Sequence, residues 1–192
     1  MTLMNAAEYF EQPRINLTGA VNEKMLEDLD RQVKSTNLGP DAQAVVTLTS
    51  GGGSVGYARA IYEELSLIQH QTKLTFVARG LCLSAAVTIA MAFPSERRVA
   101  TPNTKFLIHE GSLDVTPSIN GTLSAREIQK ANFDTSFNDD QEEGRWVMHL
   151  IAKGCKRPIR EVRKEARSGL WLIGKGAVDY GLVSSLIYKR RK

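Results

Sequence analysis

Short apolar runs alternate along this chain with stretches of helical period, and that alternation admits few folds. Ile15-Asn16-Leu17, Ala44-Val45-Val46-Thr47-Leu48 and Lys73-Leu74-Thr75-Phe76-Val77 read as strands. Between the first two, Asn22 caps a predicted helix running to about Lys34, whose Met25, Leu26, Leu29 and Val33 recur at helical spacing. Between the next two, a helix from about Ser54 to Ile68 carries Ile61, Leu65 and Ile68 on one face. Strand, helix, strand in this order predicts βαβ units around a largely parallel sheet, an α/β fold. Ser84 to Phe93 reads as a buried helix ended by Pro94, and Arg98-Val99-Ala100 and Lys105-Phe106-Leu107-Ile108 as two further strands. Leu113 to Gly121 carries turn and strand signals. From about Ser124 a long polar segment holding Phe133, Phe137, Trp146, Met148 and Leu150 exceeds what one core helix needs, which predicts an arm outside the core. A short helix over Ile159 to Ala166, the strand Leu170-Trp171-Leu172-Ile173 and a helix ending at Tyr180-Gly181 complete the expected order.

Composition bounds the rest. A chain of 192 residues fits one domain with a sizeable core, expected to span residues 1–192 with an N-terminal segment over 1–14 and a basic tail over 189–192. No apolar run approaches the roughly 20 residues that cross a bilayer, and Met1 to Glu8 lacks the flanks of a signal peptide, so no membrane partner is expected and the cytoplasm is the default location. Cys82 and Cys155 are too few for a disulfide framework, and the 3 histidines show no zinc spacing, so no metal or cofactor is expected. The net charge of +4 comes largely from Lys153 to Arg167 and Lys189-Arg190-Arg191-Lys192. No aromatic residues interleave with these charges as base stacking requires, so the reading is a solvated face and not a nucleic-acid site.

Three segments carry chemistry. Ser84 closes Gly80-Leu81-Cys82-Leu83 and opens a predicted helix, where free N–H groups and the positive end of the helix dipole favour an anionic intermediate; a plain helix cap is the competing role. His109 ends the strand Phe106-Leu107-Ile108, where α/β sites are built, and an imidazole suits proton transfer near neutral pH. His70 reads as a surface turn residue and His149 as a helix-face residue. Ser50-Gly51-Gly52-Gly53-Ser54 follows a buried strand and can present bare amides to an oxyanion. The same glycines satisfy Gly-x-Gly-x-x-Gly over Gly51 to Gly56, which leaves an NADP-binding Rossmann domain as an alternative, with Arg79 as a 2′-phosphate ligand. That alternative leaves Ser84 and His109 idle; the three segments together fit a serine hydrolase.

Taken jointly, these segments resemble the proteolytic subunit family of the Clp protease, within the crotonase-like superfamily. Thr49-Ser50-Gly51-Gly52-Gly53-Ser54-Val55 with Ala60-Ile61-Tyr62 is similar to its Asn-Ser-Pro-Gly-Gly segment, Gly80 to Ala85 to its nucleophile segment, and Leu107-Ile108-His109 to its Met-Ile-His segment. The separation from Ser84 to His109 is the family's own, and Ala125-Arg126-Glu127-Ile128 and Ala177-Val178-Asp179-Tyr180-Gly181-Leu182-Val183 resemble its handle and C-terminal motifs. The resemblance implies a crotonase/Clp-like fold with a protruding handle over about residues 113–153, and a serine endopeptidase acting on peptides or unfolded polypeptides inside a homo-oligomeric ring or double ring. It implies Ser84 as nucleophile, His109 as base, the Gly53 and Ala85 amides as oxyanion hole, and Glu165 at the position counted for the triad aspartate. Gly51 and Ala85 replace the family's Pro and Met, and the stretch before Ile15 is short for axial loops, which argues against an AAA+ unfoldase partner. A crotonase-like acyl-CoA enzyme and a catalytically silent assembly subunit are the remaining alternatives.

Overall fold

The computed structural model describes residues 11–36, 38–110 and 141–187. Strands β1 (Arg14–Thr18), β2 (Gln43–Ser50) and the first part of β3 (Lys73–Leu83) pair in parallel, connected by α1 (Glu23–Thr36) and α2 (Val55–Ile68). β4 (Arg98–Ala100) lies on the far side of β3, and β7 (Ser185–Leu186) beside β4, both parallel. Asn22 caps α1 as expected, its Oδ1 accepting the Met25 N–H at 3.2 Å, and Ser54 Oγ accepts that of Tyr57 at 3.4 Å at the start of α2. Met25 and Leu29 of α1 and Ala58, Ile61 and Leu65 of α2 are buried in one core with Ile15, Leu17, Val46, Leu48 and Phe76 of the strands. Burial of each large side chain is worth about 1.5–3 kcal/mol relative to exposure. Val45, Val77 and Val99 are buried on the opposite face, which explains why β2 reads as a continuous apolar run.

One strand departs from the sequence reading in a way that builds the site. The sequence reads as a strand over Lys73 to Val77, yet β3 continues to Leu83. Gly80 takes φ +66, which a side chain would resist, and there the strand changes partners. Beyond it Leu81, Cys82 and Leu83 pair in parallel with Lys105, Phe106 and Leu107 of β5 (Lys105–Ile108). β6 (Leu170–Ile173) pairs antiparallel with β5.

After β3, helix α3 (Ala85–Ala90) is buried throughout and, at six residues, shorter than the predicted span. It lies in the same core as Met148 and Ile151 of α4 (Gln141–Gly154). α5 (Ile159–Arg167) and α6 (Lys175–Tyr180) follow, and Gly181 closes α6 at φ 92. A Cβ on Gly181 would lie 2.8 Å from the Cys155 carbonyl oxygen, so this turn presses onto the end of α4. The buried Arg98 ties these ends together: its Nη2 donates to the carbonyls of Gly154 and Gly181 and its Nη1 contacts Met91 Sδ at 2.8 Å. The turn and strand signals at Leu113–Gly121, most of the expected handle and the basic tail lie outside the described residues. No described helix is long and apolar enough to cross a membrane.

Candidate active site

Two adjacent parallel strands deliver Ser84 and His109. Leu83 is in register with Leu107, and the Ser84 N–H continues the ladder to the Leu107 carbonyl at 2.8 Å. One residue past each strand, Ser84 and His109 face each other, with Ser84 Oγ 2.7 Å from His109 Nε2. His109 is 6% exposed, so the imidazole is held by its packing. Ser84 adopts φ 56 and ψ −126, and its side chain makes no helix-capping hydrogen bond. The plain-cap role is therefore excluded: the hydroxyl is turned to the imidazole. A non-glycine residue in this region costs about 1–3 kcal/mol and persists only where its surroundings impose it. Here they do so through the Leu107 carbonyl on one side and the Val87 N–H on the other, which bonds the Ser84 carbonyl at 2.9 Å.

The glycine loop lies directly on Ser84. Gly52 has φ +100, and a Cβ there would sit 2.8 Å from both the Leu83 carbonyl oxygen and Ser84 Cβ. Gly53, at φ +147, is clamped by Val21, whose carbonyl oxygen would be 2.4 Å from an added Cβ. Val21 donates to the Gly52 carbonyl at 2.8 Å and accepts from Ser54 N–H at 2.9 Å, forming an isolated parallel bridge. Ser50 Oγ accepts the Gly52 N–H at 3.1 Å. Among the described residues, the amides of Gly53 and Ala85 have no such acceptor. With α3 only six residues long, individual amides and not a helix dipole are what the site offers an oxyanion. Val21 and Ser84 fill the close-approach side of the two glycines, where a pyrophosphate would have to lie in the Rossmann alternative.

Glu165, which the resemblance implies at the triad position, is bonded to residues other than His109. Tyr180 Oη donates to Glu165 Oε2 at 2.8 Å, and Arg157 Nη2 donates to Oε1 at 3.4 Å. The Arg157 guanidinium also stacks on the Tyr180 ring, 4.4 Å from its centroid. Burial, and then the carboxylate acceptor, push the Tyr180 phenol well above its usual range. The reason lies in the helix period: α5 turns Val162 and Ala166 into the core, which leaves Glu165 on the flank that meets Tyr180. The residue that joins the end of β5, next to His109, to α5 is Glu110. Its N–H donates to the Ala166 carbonyl at 3.1 Å, and its carboxylate accepts from Arg163 Nε at 2.6 Å and Arg167 Nε at 3.4 Å. Sequence reasoning missed Glu110 as an anchor and Val21 as the clamp on Gly53. The acid directly after the base, and Gly19 ahead of Val21 beyond a strand, were the available signals.

His149 is exposed on α4, its Nδ1 2.8 Å from the Arg145 carbonyl oxygen, and His70 is exposed in the turn after α2. Among the described residues no group of three or more His, Cys, Asp or Glu side chains is placed to hold a metal ion.

The Clp protease family model matches residues 3–190. The chain belongs to that family. Members of the Clp protease family are serine peptidases, so the Ser84–His109 contact lies in a chain where an attacking serine is expected. The chain is 27% identical to the ATP-dependent Clp protease proteolytic subunit 3 of Rhizobium etli over 94% of its own length and 87% of that protein's. It is likewise 27% identical to the ATP-dependent Clp protease proteolytic subunit 2 of Pseudomonas aeruginosa, covering 93% of this chain and 83% of that one. A solved structure of a ClpP1 mutant from Listeria monocytogenes superposes with a TM-score of 0.72 at 23% identity, covering 93% of this chain and 92% of that one. That superposition establishes the fold as Clp/crotonase-like.

Proposed function

We propose that this protein is a serine endopeptidase that cleaves peptides or unfolded polypeptides through an acyl-enzyme on Ser84. The 2.7 Å contact between Ser84 Oγ and His109 Nε2, made by a serine held at φ 56, carries the reading. Ser84 Oγ attacks the peptide carbonyl while His109 Nε2 takes its proton, which requires Nε2 to hold the lone pair in the resting state. The new C–O bond leaves a negative oxygen, received by the N–H groups of Gly53 and Ala85. Collapse breaks the C–N bond, and His109 returns its proton to the leaving amine. Water then attacks the ester, His109 taking its proton and giving it back to Ser84, which releases the acid. Glu165 serves this arrangement from a distance, by fixing α5 to α6. The chain assembles with copies of itself into a closed chamber that admits extended polypeptides.

Labelling with a fluorophosphonate followed by peptide mapping tests the assignment. The adduct is expected on Ser84, and Ser84→Ala is expected to lower peptidase activity by on the order of 10⁴- to 10⁶-fold. An adduct elsewhere, or full activity in Ser84→Ala, overturns it.

A further inference from the structure

We infer that Ser50 is a positioning residue of the oxyanion hole, aiming the Gly53 amide by holding the amide before it. The inference rests on the assignment of Ser84 and Gly53 above. Ser50 is the last residue of β2 and 2% exposed. The β2–β3 register shifts between Leu48 and Ser50, so that Ser50 stands opposite Cys82, two residues before the nucleophile. Its hydroxyl accepts the Gly52 N–H at 3.1 Å, a side-chain turn that spans the bend into the loop. The Gly52 carbonyl and the Ser54 N–H are both committed to Val21.

The Gly52 N–H, the Gly52 carbonyl and the Ser54 N–H thus fix the loop on three sides, and the N–H left between them is that of Gly53. With Gly52 at φ +100 and packed on Ser84 Cβ, rotation of the Ser50–Gly52 segment moves the Gly53 N–H relative to Ser84. Without the Ser50 acceptor, a buried N–H is stranded and the loop turns to find another partner. The ground-state peptide barely senses this movement, but the tetrahedral oxygen does, because the donor is valuable only at the place where charge develops.

The test compares wild type, Ser50→Ala and Ser50→Thr, with every rate expressed per assembled particle recovered from size exclusion. For a short fluorogenic peptide, Ser50→Ala is expected to lower kcat by about 10- to 100-fold while KM stays within about twofold. Affinity for a peptide boronate, whose boron bonds Ser84 Oγ and becomes tetrahedral, should fall by a similar factor. Ser50→Thr retains the hydroxyl and should recover most of both. Wild-type kcat in Ser50→Ala overturns the inference. So does a loss shared between kcat and KM, or one that follows failure to assemble, since each marks a purely structural serine. Absence of fluorophosphonate labelling at Ser84 in the wild type would instead remove the underlying assignment, so the two failures are distinguishable.

Discussion

Gly19 and Gly52 share almost the same backbone conformation, φ +103 and φ +100, but only one of them touches the nucleophile. That pairing separates the strain of a left-handed backbone from the effect of close approach. A Cβ added to Gly19 meets nothing within 4 Å, so Gly19→Ala carries the backbone term alone, about 1–2 kcal/mol. A Cβ added to Gly52 carries the same term and also lies 2.8 Å from Leu83 O and Ser84 Cβ, closer than real Cβ atoms come. Relieving that overlap requires the loop or the strand end to move by roughly half an ångström or more, an overpacking cost of about 1–3 kcal/mol. For a domain of this size each kcal/mol lowers Tm by about 2–4 °C, so Gly19→Ala should melt about 2–8 °C below wild type and Gly52→Ala about 4–20 °C below, the larger drop of the two. The activities should diverge further. A displacement approaching 1 Å at the reacting centre can cost about 100-fold in rate, so Gly52→Ala should lose 10- to 100-fold in kcat, whereas Gly19→Ala keeps most of it. Matched thermal scans and initial rates on a fluorogenic peptide, both on assembled protein, measure the two differences. Equal melting temperatures and equal kcat in the two variants would refute the contact between loop and nucleophile.

Glu165→Ala removes the acceptor of the Tyr180 hydroxyl and one partner of Arg157, and should lower stability by about 1–3 kcal/mol while the rate of Ser84 acylation stays within about threefold. A 100-fold slower acylation at unchanged Tm would instead place the carboxylate on the imidazole. Burial pushes the Cys155 thiol from 9.0 up to about 11, and folding thereby favours its protonated form. That contribution is complete below pH 9.0 and is lost as pH rises toward about 11, so Tm should fall over this window, and less steeply in Cys155→Ala. An identical slope in the variant would show that the thiol does not titrate on unfolding. Light scattering at micromolar concentration should return the mass of a closed homo-oligomer, and a monomer would remove the chamber.

The strands and helices that pack both ends of a regular pattern were legible before the structure. α1 and α2 announce themselves by period, and α1 also by its Asn22 cap; the structure adds Ser54 as the cap of α2. β7 was missed because two residues, Ser185 and Leu186, carry no period; their place beside β4 is set by the Arg98 carbonyl, which receives the Ser184 N–H at 2.7 Å. The upper part of β3 was hidden by Gly80, because a glycine inside an apolar run signals a turn unless a second strand waits to pair beyond it. Ser84 and His109 stood out because each polar side chain follows an apolar strand. The partners of Glu165 did not, because counting along a sequence fixes a level on a helix and leaves open which flank the side chain takes. Partners distant in sequence, such as Tyr180 for Glu165 and Val21 for Gly53, leave no local trace.

The site occupies the point where β3 exchanges neighbours, and this explains why its parts come from three separate segments. On one side β3 keeps β2 as its neighbour both below and above Gly80, and the register shift after Leu48 brings Ser50 at the end of β2 level with Cys82 and turns the following glycines over Ser84. On the other side β3 pairs with β4 below Gly80 and with β5 above it, and β5 carries His109 to the far side of the same serine. The glycine loop thus arrives from one neighbour and His109 from the other, with Ser84 directly after the strand they share. Alignment is set by backbone pairing, not by side-chain packing alone. A slip of one residue between β3 and β5 shifts Ser84 by about 3.3 Å along the strand and reverses the face of every side chain, which takes Oγ out of proton-transfer range of Nε2. The antiparallel ladder from Lys105–Ile173 to Ile108–Leu170 and the Glu110 contacts with α5 oppose that slip from beyond the site. The elements that stabilise β5 and β6 are therefore the same ones that hold His109 Nε2 at 2.7 Å from Ser84 Oγ.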